Sequence, residues 1–440
     1  MLAKHQRVSN CRLPHQLSVA LPTTTMWLAA VVFLGGLSAR LSGDANAQAP
    51  TAKPRIAGLA TVYRHNSHGD VIHSRYLETD TLDGKGAQLP AEMVSLHVLQ
   101  TPESDMSRRM AAAHGVRLSD SVADALTLGG DKLAVDGVVL VAEHGEFPLS
   151  EIGQKQYPKR QLFAQVAAVM ERSGRSAPVF SDKMLSDNWE DAEWIYREAK
   201  RLKIPLMAGS SLPTAWRFPP VDMPRGAAVA EITAVSYGQP ESYGFHALEM
   251  VQCLAERRGQ GETGVAAVRC LEGEAVWQAL AAGEVDREAL QACLDLQSPQ
   301  RATDKPLSAR VKRPVLFGIE YRDGLRANVL VLNGAVRQWA AAWRLQDGSR
   351  QATQFWVQEQ RPFMHFTYLL EGVNRMFATG KPSWPVERTL LTTGMLNAVF
   401  RSQADGGARI ETPHLRGLAY TSDWNWRQPP WPANEPPRKE

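Results

Sequence analysis

The sequence predicts an α/β protein in two parts: an N-terminal Rossmann-type parallel sheet domain, then a C-terminal α+β domain with a largely antiparallel sheet. Three observations predict it. Between residues 55 and 209, short apolar runs alternate with amphipathic segments across short polar connections, the pattern of a parallel sheet with right-handed crossovers. After Pro219-Pro220 the runs become extended and are punctuated by Asp323-Gly324 and Asn333-Gly334, which are hairpin signals. With 440 residues, of which 44% are hydrophobic and 22% charged, the chain has apolar material for two or three cores.

The elements follow in order. The run at 55–62 (RIAGLATV) suits a buried strand, and after a polar turn a helix starts at 71–77. Residues 93–99 form the second strand, and 107–114 a helix stopped by Gly115. A short helix at 121–128 precedes the clearest buried strand, 135–142. Residues 159–173 place Leu162, Phe163, Val166, Val169 and Met170 on one helical face. Strand 177–181, helix 189–202 and strand 205–209 complete this half. The second half opens with a strand at 227–237 and a helix at 244–257, then a strand at 265–271 and two short helices to about 294. Residues 297–312 read as loop, followed by extended runs at 315–321, 327–332 and 336–345, with helices on one face of their sheet, and late helices at 363–377 and 386–401. The expected organisation is 1–49 export signal and leader, 50–218 Rossmann-type domain, 219–422 α+β domain, and 423–440 proline-rich tail.

The leader carries Lys4, Arg7 and Arg12, then an apolar run at 26–34, then small residues ending in Ala45-Asn46-Ala47. That order predicts export to the periplasm or beyond, with an uncleaved N-terminal anchor as the alternative. No other stretch is long and apolar enough to span a membrane. A net charge of +3 without a basic block argues against nucleic acid as a partner. Cys253, Cys270 and Cys293 remain after the leader, and the sequence does not say whether two of them pair.

Several segments together resemble the Gfo/Idh/MocA family of sugar and polyol oxidoreductases over residues 55–415. Val179-Phe180-Ser181-Asp182-Lys183 stands where that family has a strand ending in Glu-Lys-Pro, and Gly244-Phe245-His246-Ala247-Leu248-Glu249 resembles its Gly-x-His-x-x-Asp helix start. Residues 388–402, Gly406-Gly407 and Thr412-Pro413 resemble its closing helix and edge segment. The resemblance implies NAD or NADP as cofactor, a carbohydrate-like substrate, Lys183 on the substrate hydroxyl and cofactor, and His246 as general acid/base. Three departures stand out. The glycine-rich first turn is replaced by Tyr63-Arg64-His65-Asn66-Ser67-His68-Gly69. The second strand ends in Gln100-Thr101-Pro102, leaving Glu103 or Asp105 as the nearest acid for a ribose. Ser242 stands where the family often has an aspartate.

Lys183 should emerge at the carboxyl end of the sheet, where open α/β folds bind ligands. His246 titrates near neutrality by type, and Glu249, three residues on, either orients it or only sets the local field. Arg64, His65, Asn66, Ser67 and His68 at the first turn, with Glu143 and His144 after the central strand, are the candidate cofactor contacts. With Asp182 and His246 they also offer nitrogen and oxygen donors for a divalent metal, though without a short ligand motif. Trp339 and Trp343 share a strand face with Ala341 and Leu345, which favours core or interface over a sugar platform. The expected activity is an NAD(P)-dependent oxidation of a sugar, polyol or glycoside hydroxyl. A redox-inactive lyase or hydrolase, with or without metal, and a non-catalytic carbohydrate-binding protein stay open, as does a homo-oligomer.

Overall fold

The computed structural model describes residues 52–297, 305–428 and 430. The expected export signal lies outside the described residues, as does most of the proline-rich tail.

The first sheet is built from β1 (Arg55–Val62), β2 (Glu92–Gln100), β3 (Arg117–Leu118), β4 (Gly137–Val141), β5 (Val179–Asp182) and β6 (Leu206–Gly209). All pairs are parallel and the order is β3-β2-β1-β4-β5-β6. The order reverses between β1 and β4, which opens a crevice beyond the carboxyl ends of the strands. The crossover helices are α1 (His68–Leu77), α2 (Ser107–His114), α3 (Val122–Thr127), α4 (Lys159–Ser173) and α5 (Trp189–Arg201). Helix α1 begins three residues earlier than the apolar pattern predicts. Ser67 caps it by accepting from Asp70 N at 3.3 Å, and this places His68 at the first helical position.

The second sheet has the order β14-β9-β10-β11-β8-β12-β13-β7. Its strands are β7 (Trp216–Phe218), β8 (Val229–Ser236), β9 (Val265–Glu272), β10 (Val315–Tyr321), β11 (Arg326–Val331), β12 (Trp339–Leu345), β13 (Arg350–Trp356) and β14 (Ile410–Glu411). Only β11 and β8 pair in parallel, so the sheet is largely antiparallel as the sequence predicts. The helices are α6 (Pro240–Ala255), α7 (Glu274–Ala282), α8 (Arg287–Asp295), α9 (Leu307–Arg310), α10 (Met364–Thr379) and α11 (Val386–Ala404).

Three expectations need correction. Helices cover both faces of this sheet, not one. Phe245 and Leu248 of α6 pack with Phe317 and Ala341 on one side, while Val276 of α7 and Cys293 of α8 pack with Leu316 and Ala340 on the other. Asn333-Gly334 is not a hairpin turn, because β8 lies between β11 and β12; the Asn333 amide instead bonds Gly238 N and O at 2.8 and 2.9 Å. Asp323-Gly324 does join neighbouring antiparallel strands. A further strand, β13, pairs antiparallel with β12 beyond the extended run at 336–345, and Asp347-Gly348 marks the turn that leads into it.

The first sheet is finished by a late segment. Val139, Val141 and Ile56 pack against Leu369, Leu370, Val373 and Phe377 of α10. The connection entering α10, residues 357–363, thereby passes over the N-terminus of α1.

Candidate active site

Between the two sheets, at the carboxyl ends of β1, β4 and β5, lies a cavity of about 290 Å³. This is at the small end of the ~300–1,000 Å³ typical of ligand pockets. His68, His144, Lys183, Tyr243, His246 and Trp339 line it.

Lys183 ends β5 in a left-handed backbone conformation, φ +57°, held by its N–H donating to Gly209 O at 3.1 Å. Its Nζ lies 3.0 Å from Glu143 Oε2, and Lys159 Nζ approaches the other oxygen at 3.2 Å. Lys159 also donates to Asp182 O at 2.7 Å. All three side chains are essentially buried. Burial alone would lower the Lys183 pKa, yet Glu143 and Asp182 outweigh it and the pKa is raised. Burial likewise opposes the Glu143 carboxylate, but the two ammoniums hold its pKa below normal. The site therefore presents one fixed cation to the cavity.

The imidazoles around that cation are neutral at pH 7. His246 lies in the second turn of α6, 2.6 Å from Ser210 Oγ through Nδ1; burial, then Lys183 and His68, keeps its pKa well below normal. His144 has φ +64° and a pKa lowered to about 4 by burial and then by Lys183, and its Nε2 has no hydrogen-bond partner among the described residues. His68 Nδ1 lies 2.5 Å from Asp182 Oδ2. Its pKa too is far below normal, through burial first and then Lys183 and His144. Burial raises Asp182 to about 6 against the pull of Lys183 and Lys159. The His68 ring is 5.4 Å from His144 and 6.4 Å from His246. Trp339 stacks on Tyr243 with centroids 5.7 Å apart, so it serves the cavity wall, whereas Trp343 is core.

Other candidates sit elsewhere. Glu249 does not bond His246. Its carboxylate accepts from Thr392 Oγ1 at 2.8 Å and Ser210 N at 3.4 Å, so it reaches His246 only by fixing Ser210; burial raises its pKa to about 7. Glu143 lies beneath the cavity wall as the counter-ion of two lysines. Arg64 and His65 point to solvent. The Ser67 hydroxyl is spent on capping, accepting from Arg64 N as well as Asp70 N. Asn66 does line the cavity, at φ +60°. Sequence reading missed Lys159, Ser210, Asp70 and Arg361. Of these only Ser210, at the end of an apolar run, carried a positional signal.

The first turn allows a direct test of fit to a dinucleotide. One glycine role survives: a Cβ at Gly69 would lie 2.4 Å from Val62 O, so α1 packs close to β1. The phosphate position does not survive. The Asp70 carboxylate lies at the N-terminus of α1, taking Asn66 N at 2.8 Å and Arg361 Nη1 at 2.7 Å. An anion already sits where backbone amides would receive a pyrophosphate. On the adenosine side, Gln100 closes onto Glu146 N and O, both at 3.0 Å, and Asp105 is turned onto Ser107 Oγ at 2.6 Å. These residues do not fit the standard dinucleotide cradle. Among the described residues no group of three or more His, Cys, Asp or Glu side chains could hold a metal ion. Cys253, Cys270 and Cys293 are free and buried, and no described helix is long and apolar enough to cross a membrane.

No family model matches the sequence, and no curated protein matches it. Solved structures do. The fold is that of the Gfo/Idh/MocA-type dehydrogenases. GenD2 from gentamicin A biosynthesis, solved in complex with NAD, is 16% identical with TM-score 0.51, covering 82% of this chain and 97% of its own. A putative myo-inositol dehydrogenase from Sinorhizobium meliloti 1021 is 15% identical with TM-score 0.50, covering 81% and 99%. A myo-inositol dehydrogenase from Lactobacillus casei, in complex with NAD(H) and myo-inositol, is 12% identical with TM-score 0.50, covering 82% and 96%. At these identities the Gfo/Idh/MocA likeness extends over the whole architecture and speaks for the fold alone.

Proposed function

We propose that this chain is an enzyme of sugar or polyol chemistry, acting on a hydroxyl or carbonyl group held beside Lys183 and His246. The observation that carries it is the juxtaposition of one buried ammonium with neutral imidazoles in a small cavity walled by Trp339 and Tyr243. The ammonium stabilises an oxyanion as it forms, and a neutral imidazole accepts or returns the proton. The flat rings suit the apolar face of a sugar. Dehydrogenases of the same fold support the substrate class and an oxidoreductase reading, in which NAD or NADP would accept hydride.

The closed first turn favours a second reading, a redox-neutral reaction such as elimination or hydrolysis in the same cavity. Mild purification, denaturation and mass spectrometry for released nicotinamide nucleotide, with metal analysis alongside, separate the two. A stoichiometric nucleotide establishes the oxidoreductase; its absence, with no uptake of added NAD+ or NADP+, removes it. For the site itself, melting-temperature shifts with myo-inositol, D-glucose and 2-keto-myo-inositol are the readout. At least one should stabilise the wild type and none the Lys183→Ala/His246→Ala variant. Equal shifts in both proteins, or none in the wild type, defeat the assignment. We further propose that the chain is exported, on the strength of its leader, and that it works on carbohydrate outside the cytoplasm.

A further inference from the structure

We propose that His68, oriented by Asp182, is the proton-transfer group of this site and stands in the path that a dinucleotide would take. This rests on the sugar- or polyol-enzyme reading above. The pair joins the start of α1, above β1, to the end of β5. Since β4 lies between β1 and β5, the His68–Asp182 bond crosses the carboxyl end of β4 at the switch point of the sheet. That crevice is where doubly wound folds lay a dinucleotide. With Arg361–Asp70 and Gln100–Glu146, it makes three side-chain ties across the same groove.

The geometry also equips His68 for catalysis. An ionised Asp182 accepts from Nδ1–H, which fixes the tautomer and leaves Nε2 as the base. Lys183 is the next residue along the chain and supplies the cation. On a substrate with a carbonyl, Nε2 takes the proton from the adjacent carbon. The C–H electron pair moves towards the carbonyl, and its oxygen becomes an enolate beside the Lys183 ammonium. Return of the proton from His68 restores the ketone. Alternatively, the enolate collapses to expel a leaving group on the next carbon. Neither course needs an oxidant.

The test is deuterium incorporation from D2O into 2-keto-myo-inositol, followed by mass spectrometry, with NAD+ and NADP+ binding measured by calorimetry on the same protein. We expect exchange in the wild type, at least a ~100-fold loss in His68→Ala, and no nucleotide binding. Asp182→Asn should keep the fold by circular dichroism, lose most of the exchange, and shift both its pH profile and the ¹⁵N tautomer signature of His68. Exchange that survives in His68→Ala, a wild type without exchange, or a bound nucleotide overturns the proposal. Any of these outcomes, combined with probe-dependent stabilisation of the wild type that is lost in Lys183→Ala/His246→Ala, overturns this inference alone and leaves the broader reading standing.

Discussion

Removing the charge of Glu143 perturbs the site at its electrostatic centre. In Glu143→Gln the side-chain volume is kept, but the Lys183 ammonium loses the carboxylate 3.0 Å away and Lys159 loses the one at 3.2 Å. Lys159 keeps Asp182 O at 2.7 Å, so the deficit falls mainly on Lys183. Breaking a buried ion pair from one side costs ~3–5 kcal/mol, because the remaining charge is left desolvated. At ~1.2 °C per kcal/mol for a chain of this length, the melting temperature should fall by roughly 4–6 °C. The pH dependence carries a sign. The Glu143 pKa is depressed in the folded state, so its contribution is present above the usual carboxylate pKa of ~4.3 and is lost as pH falls further. The Lys183 pKa is raised, so its contribution is present below ~10.4 and is lost only at higher pH. Wild type and variant should therefore differ most between about pH 5 and 10 and converge in acid. Thermal melts across that range are the assay. A second variant, Glu143→Gln/Lys183→Met, should recover much of the loss, since it removes the orphaned charge. A single variant that melts within ~1 kcal/mol of wild type throughout would refute the charge network as described.

Three further predictions follow from neighbouring features. Gly69→Ala places a methyl against Val62 O and should cut soluble yield or destabilise by several kcal/mol, read by expression and circular dichroism. Arg361→Ala leaves the buried Asp70 carboxylate without its cation and should speed amide hydrogen exchange over residues 66–70, with a stability loss of ~1–3 kcal/mol, while Arg361→Lys retains part of the effect. Glu249 has a folded pKa raised to about 7, so it favours the fold below ~4.3 and that advantage disappears as pH rises through 7. Glu249→Gln should accordingly flatten the melting profile between about pH 5 and 8; an unchanged slope would contradict the upward shift of this group.

The sequence makes the first sheet legible where its strands are buried on both faces, as β1, β4, β5 and β6 are, and where each helix lies next to the strand it covers; the two exposed residues of β3 carry no such signal. Lys159–Ser173 could be read to the residue for this reason. Legibility failed where pairing is non-local. Nothing near Asn333 announces that β8, far upstream, will wedge between β11 and β12. The site divides the same way. Lys183 follows the end of a strand and His246 lies near the start of a helix, so both can be placed from their own surroundings. Arg361 meets Asp70 across most of the chain and has no local signature. The sequence offers Asp182 as part of the strand-end segment before Lys183 and as a metal donor, but not its bond to His68, whose ring arrives from another crossover.

The return of α10 to the first sheet bears on how the chain is made. When residues 50–218 have left the ribosome, Val71, Ile72 and Tyr76 of α1 can already lie against the face carrying Ile56, Val139 and Val141, but Leu369, Val373 and Phe377, which complete its cover, have yet to be synthesised. Completing the core of the N-terminal half therefore requires closing a very long loop. The last apolar cover of the first sheet thus arrives only when nearly all of the chain exists.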